Sequence, residues 1–379
     1  MKISRILLLC IGGITFLEGN YVSYEFSGGR FGDNLLAYSH ALWISYKHNV
    51  PLLYRPFKYA SKLKLSESHY TYDALAKHDV DKIVTFSDLR GKQNFLDLSK
   101  SRNALYLIPY FPHCEFDIGE RFHFDINWED REFQALLRSK IQPLQKAIPL
   151  PLPENRHLVA VHVRTGAGHD KIFQMREVEE QINGESQHQT IASIEKSSSP
   201  SSKSMPLIAQ RGIQMSLKSK FADKLHPLKF PSDSFYVTQI TKLSEILNDE
   251  PMYVHVFTDS SHPEKMAALY EKMVNKPNII FGFRQQNNNH DSNVVEDFFA
   301  LLQFDYLIRG ESNFSIVAGF LKDYRITIFP KTFSWKCNSL EILDAEIRYH
   351  RDMETILKAS AGKPIFGLLA LLNLLDLIK

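Results

Sequence analysis

The chain has 379 residues, 44% of them apolar, which is enough for two domains of ordinary size and a full core. Its formal net charge of +2 gives no reason to invoke nucleic acid as a partner. The three cysteines, Cys10, Cys114 and Cys337, show no metal-type Cys/His spacing and exclude a disulfide framework, leaving one Cys114–Cys337 bridge open in an oxidising compartment.

In chain order, residues 1–19 carry Lys2 and Arg5 followed by an apolar run from Ile6 to Phe16. That run is too short to span a bilayer and reads as a signal peptide or anchor. It would direct the chain to the secretory pathway, the periplasm or a membrane. The alternative is a segment packed on the domain of a cytoplasmic protein. Residues 21–26 predict a strand. The turn Gly28-Gly29-Arg30-Phe31-Gly32 follows, and Asp33 can cap a helix to about residue 47. Further strands are predicted at 51–54, 82–86 and 104–108, and a helix at 128–146. The alternating prolines of 149–153 mark the best domain boundary, dividing the chain into 20–150 and 151–345.

The second half alternates. Strands are predicted at 158–163, 252–257, 278–281, 306–309 and 325–329. Helices are predicted at 232–247, 263–272 and 294–303, with another running from a cap at Ser312 to 321. Such alternation implies an α/β fold with a parallel sheet. Residues 177–216 are serine-rich and hold no aromatics, so they are expected to be a disordered insertion, with a lid as the alternative. Residues 346–379 are read as a helical tail whose leucine-rich end, 364–379, docks on the protein or makes peripheral membrane contact.

Four constellations carry the chemistry. The apolar run 158–163 reads as a buried parallel strand and ends in Arg164, where open α/β sheets bind their ligands. The arginine fork suits a phosphate, and His162 is either a core histidine or a ligand contact. Next, Gly28, Gly29 and Asn34 belong to a turn that can cradle a phosphate, or that is simply tight. Asp259 follows a strand and can accept from a guanine or ribose group, or cap the helix that opens at Pro263. Ser312 and Ser315 open a helix directly after a strand, which makes either an anion site or an ordinary cap. Asp79-Val80-Asp81 has metal-type D-x-D spacing but reads as a solvated turn.

Together these residues resemble the fucosyltransferase superfamily that contains the α1,2-, α1,6- and protein O-fucosyltransferases. The match spans roughly residues 20–335 in the family's order. It runs through Gly28-Gly29 with Gly32-Asp33-Asn34, His162-Val163-Arg164, Phe257-Thr258-Asp259, and Glu296-Asp297 through Ser312-Asn313-Phe314-Ser315. The resemblance implies two facing Rossmann-like domains of the GT-B type, the acceptor side over 20–150 and the GDP-sugar side over 151–345. It implies inverting transfer of fucose from GDP-fucose to a glycan or protein hydroxyl, with no metal and no cofactor beyond the donor substrate. Arg164 would hold the diphosphate, Asp259 or His162 would seat the guanosine, Ser312 and Ser315 would contact phosphate or fucose, and Gly28, Gly29 and Asn34 would line the cleft.

The chain departs from the family at three places. Thr165 to His169 precede Asp170, Ser260 stands where a second aspartate is usual, and Asn313 stands in place of a paired serine. The general base therefore falls first to Asp170, then His169, then Asp33. A binding protein without turnover, or a transferase for another GDP-sugar, are the alternatives that these departures leave open.

Overall fold

Strands buried on both faces need no polar alternation, and the central strand of the second half, His-Leu-Val-Ala-Val-His-Val, has none. The computed structural model describes residues 19–26, 29–65, 70–72, 80–84, 103–108, 126–146, 149–165, 227–285, 288–289, 291–336 and 339–350. The expected signal segment, the 177–216 insertion, the tail beyond 350, Gly28, His169, Asp170 and all three cysteines lie outside these residues. The chain divides into two compact units, Met1–Gln145 and Lys146–Lys379.

In the first unit, β1 (Tyr21–Tyr24), β5 (Ala104–Ile108) and β4 (Lys82–Val84) form a parallel sheet in the order β1-β5-β4. A second pair, β2 (Leu53–Tyr54) and β3 (Tyr70–Thr71), is also parallel. Helix α1 (Phe31–His48) follows β1 and buries Leu35, Leu36, Tyr38, Leu42 and Trp43. It ends at Asn49, whose left-handed backbone (φ 51°) closes the last turn. Helix α2 (Arg131–Lys140) is shorter at both ends than the sequence suggests; Asp130 fixes its start by accepting from the Phe133 N–H at 2.9 Å. Phe133 packs edge-on against Trp43 of α1, with ring centroids 4.9 Å apart.

The second unit is a six-stranded sheet in the order β11-β10-β9-β6-β7-β8. Strands β6 (His157–Val163), β7 (Met252–Thr258), β8 (Ile279–Phe283), β9 (Tyr306–Arg309) and β10 (Ile326–Lys336) are mutually parallel, and β11 (Ser339–Tyr349) returns antiparallel along β10. The helices between them are α3 (Asp233–Ile246), α4 (Pro263–Val274), α5 (Val294–Leu301) and α6 (Asn313–Leu321). One face of the sheet presents Val159, Val161, Val163, Val254, Val256 and Ile308 to Tyr236, Ile240 and Leu243 of α3 and Tyr270 of α4. Burying each such side chain contributes about 1.5–3 kcal/mol.

One expectation is corrected at the C-terminal edge. The last strand was expected to stop at 329 and a helical tail to begin at 346. Instead β10 runs on to Lys336, and β11 pairs with it through Tyr349. The reason is a period of two: Ala345, Ile347 and Tyr349 turn toward the core in strand fashion, and Ile342 joins them across a register break. Strand β9 supports only Ile326–Ile328 of β10, so the outer part of this hairpin pairs with itself alone. Pro330 falls beyond that support, at a break in the β10–β11 register.

Candidate functional site

The strand order of the second unit sets the site. From β6 the chain moves outward through β7 to β8, then crosses back to β9 and β10 on the other side of β6. Connections therefore leave β6 and β9 in opposite directions, and the crevice outside their carboxyl ends is the ligand position of an open α/β sheet. Arg164 leaves β6 there, and Ser312 opens α6 three residues after β9. In register, Val163 lies beside Thr258 and His162 beside Arg309. Arg164, Asp259, Ser312 and Ser315 thus gather at the ends of three adjacent strands of one unit.

Asp259 does not cap the helix at Pro263; His262 occupies that position, with no side-chain cap. Its Oδ1 accepts from the Thr165 N–H at 2.7 Å and from the Thr165 hydroxyl at 2.9 Å. This ties the residue after Arg164 to the end of the neighbouring strand. The next loop is tied in turn: Asn288 Nδ2 donates to the Thr258 carbonyl at 2.8 Å. At the end of β8, Arg284 Nε donates to Asp297 Oδ1 at 2.8 Å, joining that strand to α5. Burial pushes the Asp297 carboxyl up, and the Arg284 guanidinium opposes the shift.

Ser312 is buried at the start of α6 with extended backbone (φ −105°, ψ 125°), and its hydroxyl makes no capping bond. Its carbonyl accepts from the Ser315 and Ile316 N–H groups, each at 3.0 Å. The Ser315 hydroxyl also donates to that carbonyl, at 3.1 Å, so its proton is committed inside the first turn. His162 is buried and stacks on Phe314 of α6, with centroids 5.2 Å apart and planes 23° from parallel. Gly310, between β9 and α6, sits in a tight spot: a Cβ there would lie 3.0 Å from the Lys229 carbonyl oxygen.

Two residues escaped sequence reasoning. Arg309 ends β9 as Arg164 follows β6, and the same signal, an arginine closing an apolar run, would have found it. Tyr236 of α3 carried none, because a tyrosine at a core position of a helix looks like packing alone. Its hydroxyl is buried without a hydrogen-bond partner among the described residues and feels Asp259 and Arg309.

The first unit's turn is built differently. Asp33 Oδ2 accepts from the Arg30 N–H at 2.7 Å, and a Cβ on Gly29 would lie 2.2 Å from that same oxygen. The glycine is there for its own carboxylate neighbour. Asn34 is buried within α1. Asp81 of the D-x-D sequence is exposed and donates its N–H to the Asn103 carbonyl at 3.0 Å. Among the described residues no group of three metal-type ligands occurs, and no helix is long and apolar enough to cross a membrane.

No family model matches the chain, and no curated protein matches it. Solved structures to which it is similar include fucosyltransferases. NodZ α1,6-fucosyltransferase soaked with GDP-fucose is 11% identical, with 88% of this chain and 99% of that chain covered and a TM-score of 0.37. POFUT1 in complex with GDP-fucose is 11% identical over 83% of this chain and 96% of that chain, with a TM-score of 0.40. A mutant of Arabidopsis thaliana FUT1 in complex with GDP is 13% identical over 82% of this chain and 70% of that chain, with a TM-score of 0.41. With likeness that distant, the functional reading stands on this chain's own residues.

Proposed function

We propose that the chain is a glycosyltransferase that takes fucose from GDP-fucose to a hydroxyl of a glycan or protein, with inversion and without a metal. The observation that carries this reading is Arg164 at the sheet's switch point, beside the start of α6, with the following residue held by Asp259. A diphosphate placed there meets a planar guanidinium and the positive end of a helix. In the reaction the acceptor oxygen attacks the anomeric carbon from the side opposite the diphosphate. The bond from that carbon to the diphosphate oxygen breaks, and GDP leaves with the electron pair. Arg164 and the α6 terminus stabilise the charge that grows on it. The acceptor's proton goes to a base, for which Asp170 remains the best carboxylate. Asp33 is a poorer choice, because its carboxylate already holds the Arg30 N–H. The first unit then serves the acceptor and the second the donor.

A thermal-shift series with GDP-fucose, GDP-mannose, GDP and a UDP-sugar tests the reading. Stabilisation by the guanine nucleotides but not by the UDP-sugar is expected, with GDP-fucose turned over in the presence of an acceptor mixture. A protein indifferent to every GDP compound would sink the proposal. One that binds GDP-fucose and releases neither fucose nor GDP would be a binding protein.

A further inference from the structure

The ring of Phe329, just past the part of β10 paired to β9, has two guanidiniums against it. Arg309 Cζ is 4.5 Å from its centroid and Arg348 Cζ is 5.1 Å away. The two arginines differ in how their charge is met. Arg348 is paired with Glu346 at 2.8 Å. Arg309 is recessed at the end of β9 and donates Nη1 to the Gly310 carbonyl at 3.1 Å; among the described residues it has no ion pair. Burial pulls it down to about 10, with Glu311 and Glu346 opposing the shift from further off. A guanidinium has five donors, and one recessed without an anion is an expensive arrangement unless something else supplies the charge.

Its position says what. Arg309 is in register with His162, so the two backbones are about 4.8 Å apart, and Arg164, two residues further along, is roughly 8 Å from it. The two arginines therefore leave neighbouring strands at the crevice between β6 and β9, with the Arg309 guanidinium resting over Phe329 on the β10 side. The unpartnered Tyr236 hydroxyl feels the same Arg309, and burial keeps it protonated, a donor with no acceptor among the described residues.

We infer that Arg309 is a second anion-binding arginine, gripping the diphosphate of the bound nucleotide across the switch point from Arg164. This rests on the GDP-sugar reading above. Calorimetric titration of the full chain with GDP and with guanosine tests it. Arg309→Ala should weaken GDP binding about tenfold or more, as the loss of a charge-assisted contact does, and leave guanosine binding unchanged. Arg309→Met keeps the apolar stem over Phe329 and should lose GDP affinity equally while melting like the wild type, so it carries the test if the alanine variant does not fold. A wild type that binds GDP together with a folded Arg309→Met that binds it equally well overturns the inference alone. A wild type that binds no GDP overturns the donor reading and this inference with it.

Discussion

Helices α1 and α6 each follow a parallel strand, and their starts are closed in opposite ways. At the start of α1 the molecule supplies its own anion: Asp33 reaches back to the Arg30 N–H across a turn that only Gly29 can fit. At the start of α6 the Ser312 side chain takes no part in the cap. A helix terminus already facing a carboxylate repels a second anion, whereas one without it attracts one. The glycine-rich turn, which looks more like a phosphate cradle in sequence, is the closed one. The serine turn, which looks like an ordinary cap, is the open one.

The sharpest way to break this contrast is at Arg164. Arg164→Ala should cost about 3–4 kcal/mol of barrier, on the order of a hundredfold or more in turnover of GDP-fucose, with the melting temperature preserved. Arg164→Lys should not rescue it, because lysine keeps the charge without the fork. Near-normal turnover would remove the main support for an open site in the second unit. Arg156, just before β6, acts differently: its Nη1 donates to the Asn278 carbonyl at 3.0 Å, so its loss should lower stability and spare nucleotide affinity.

Beneath the open end the sheet is buried, and acid should expose this. Burial holds His255 of β7 down to about 4, from an ordinary value of 6.5. The folded state thus binds its proton later than the unfolded chain does. Stability should be complete above about pH 6.5, fall by about 3 kcal/mol as the pH drops through the interval to about 4, and level off below it. Melting curves between pH 7 and 4 would record the fall, and His255→Gln should flatten it. An equally steep slope in that variant would place the acid sensitivity elsewhere.

Asp259 offers a smaller lever. Asp259→Ala strands the Thr165 N–H and should cost about 1–3 kcal/mol, read as weaker GDP binding with a modest loss of stability. Thr165→Val removes the hydroxyl bond alone and should cost less. If the two changes add independently in a double-mutant cycle, the clamp is not acting as one unit.

The smallest effects sharpen the comparison most directly. Asp33→Ala should lower stability by about 1 kcal/mol and leave nucleotide affinity alone. Ser312→Ala should do the reverse, lowering affinity while stability changes by less than about 0.5 kcal/mol. Chemical denaturation paired with GDP titration of both variants would settle it. A stability loss at Ser312 matching that at Asp33 would mean the two helix starts are alike.

Much of the second unit was legible because buried parallel strands write themselves as apolar runs and their helices carry caps. Strand β9 at Tyr306–Arg309 and the start of α6 after Ser312 fall where the pattern puts them. Strand β7 differs from the reading by a residue at one end and helix α3 by a residue at each. What stayed hidden depends on contacts between residues distant in sequence. No local pattern says that Asp259 holds Thr165, 94 residues away, instead of capping the next helix. Nor does one say that Asp33 fills the turn that Gly29 opens. Strand β11 was missed for another reason: its alternation begins where the α/β rhythm ends, and a leucine-rich tail beyond it invites a helical reading.

The hairpin of β10 and β11 also has a consequence in time. Near Ile326 and Tyr349 its backbone amides belong to a sheet six strands wide, while toward Trp335 and Leu340 each strand has only the other. A two-stranded ribbon is marginal by itself, and the register break at Pro330 separates it from the part that is supported. Hydrogen exchange should therefore be graded along a single ladder. Amides at Ile326–Ile328 should wait for the unit to unfold, and those beyond Thr332 should exchange through local opening, many orders of magnitude faster.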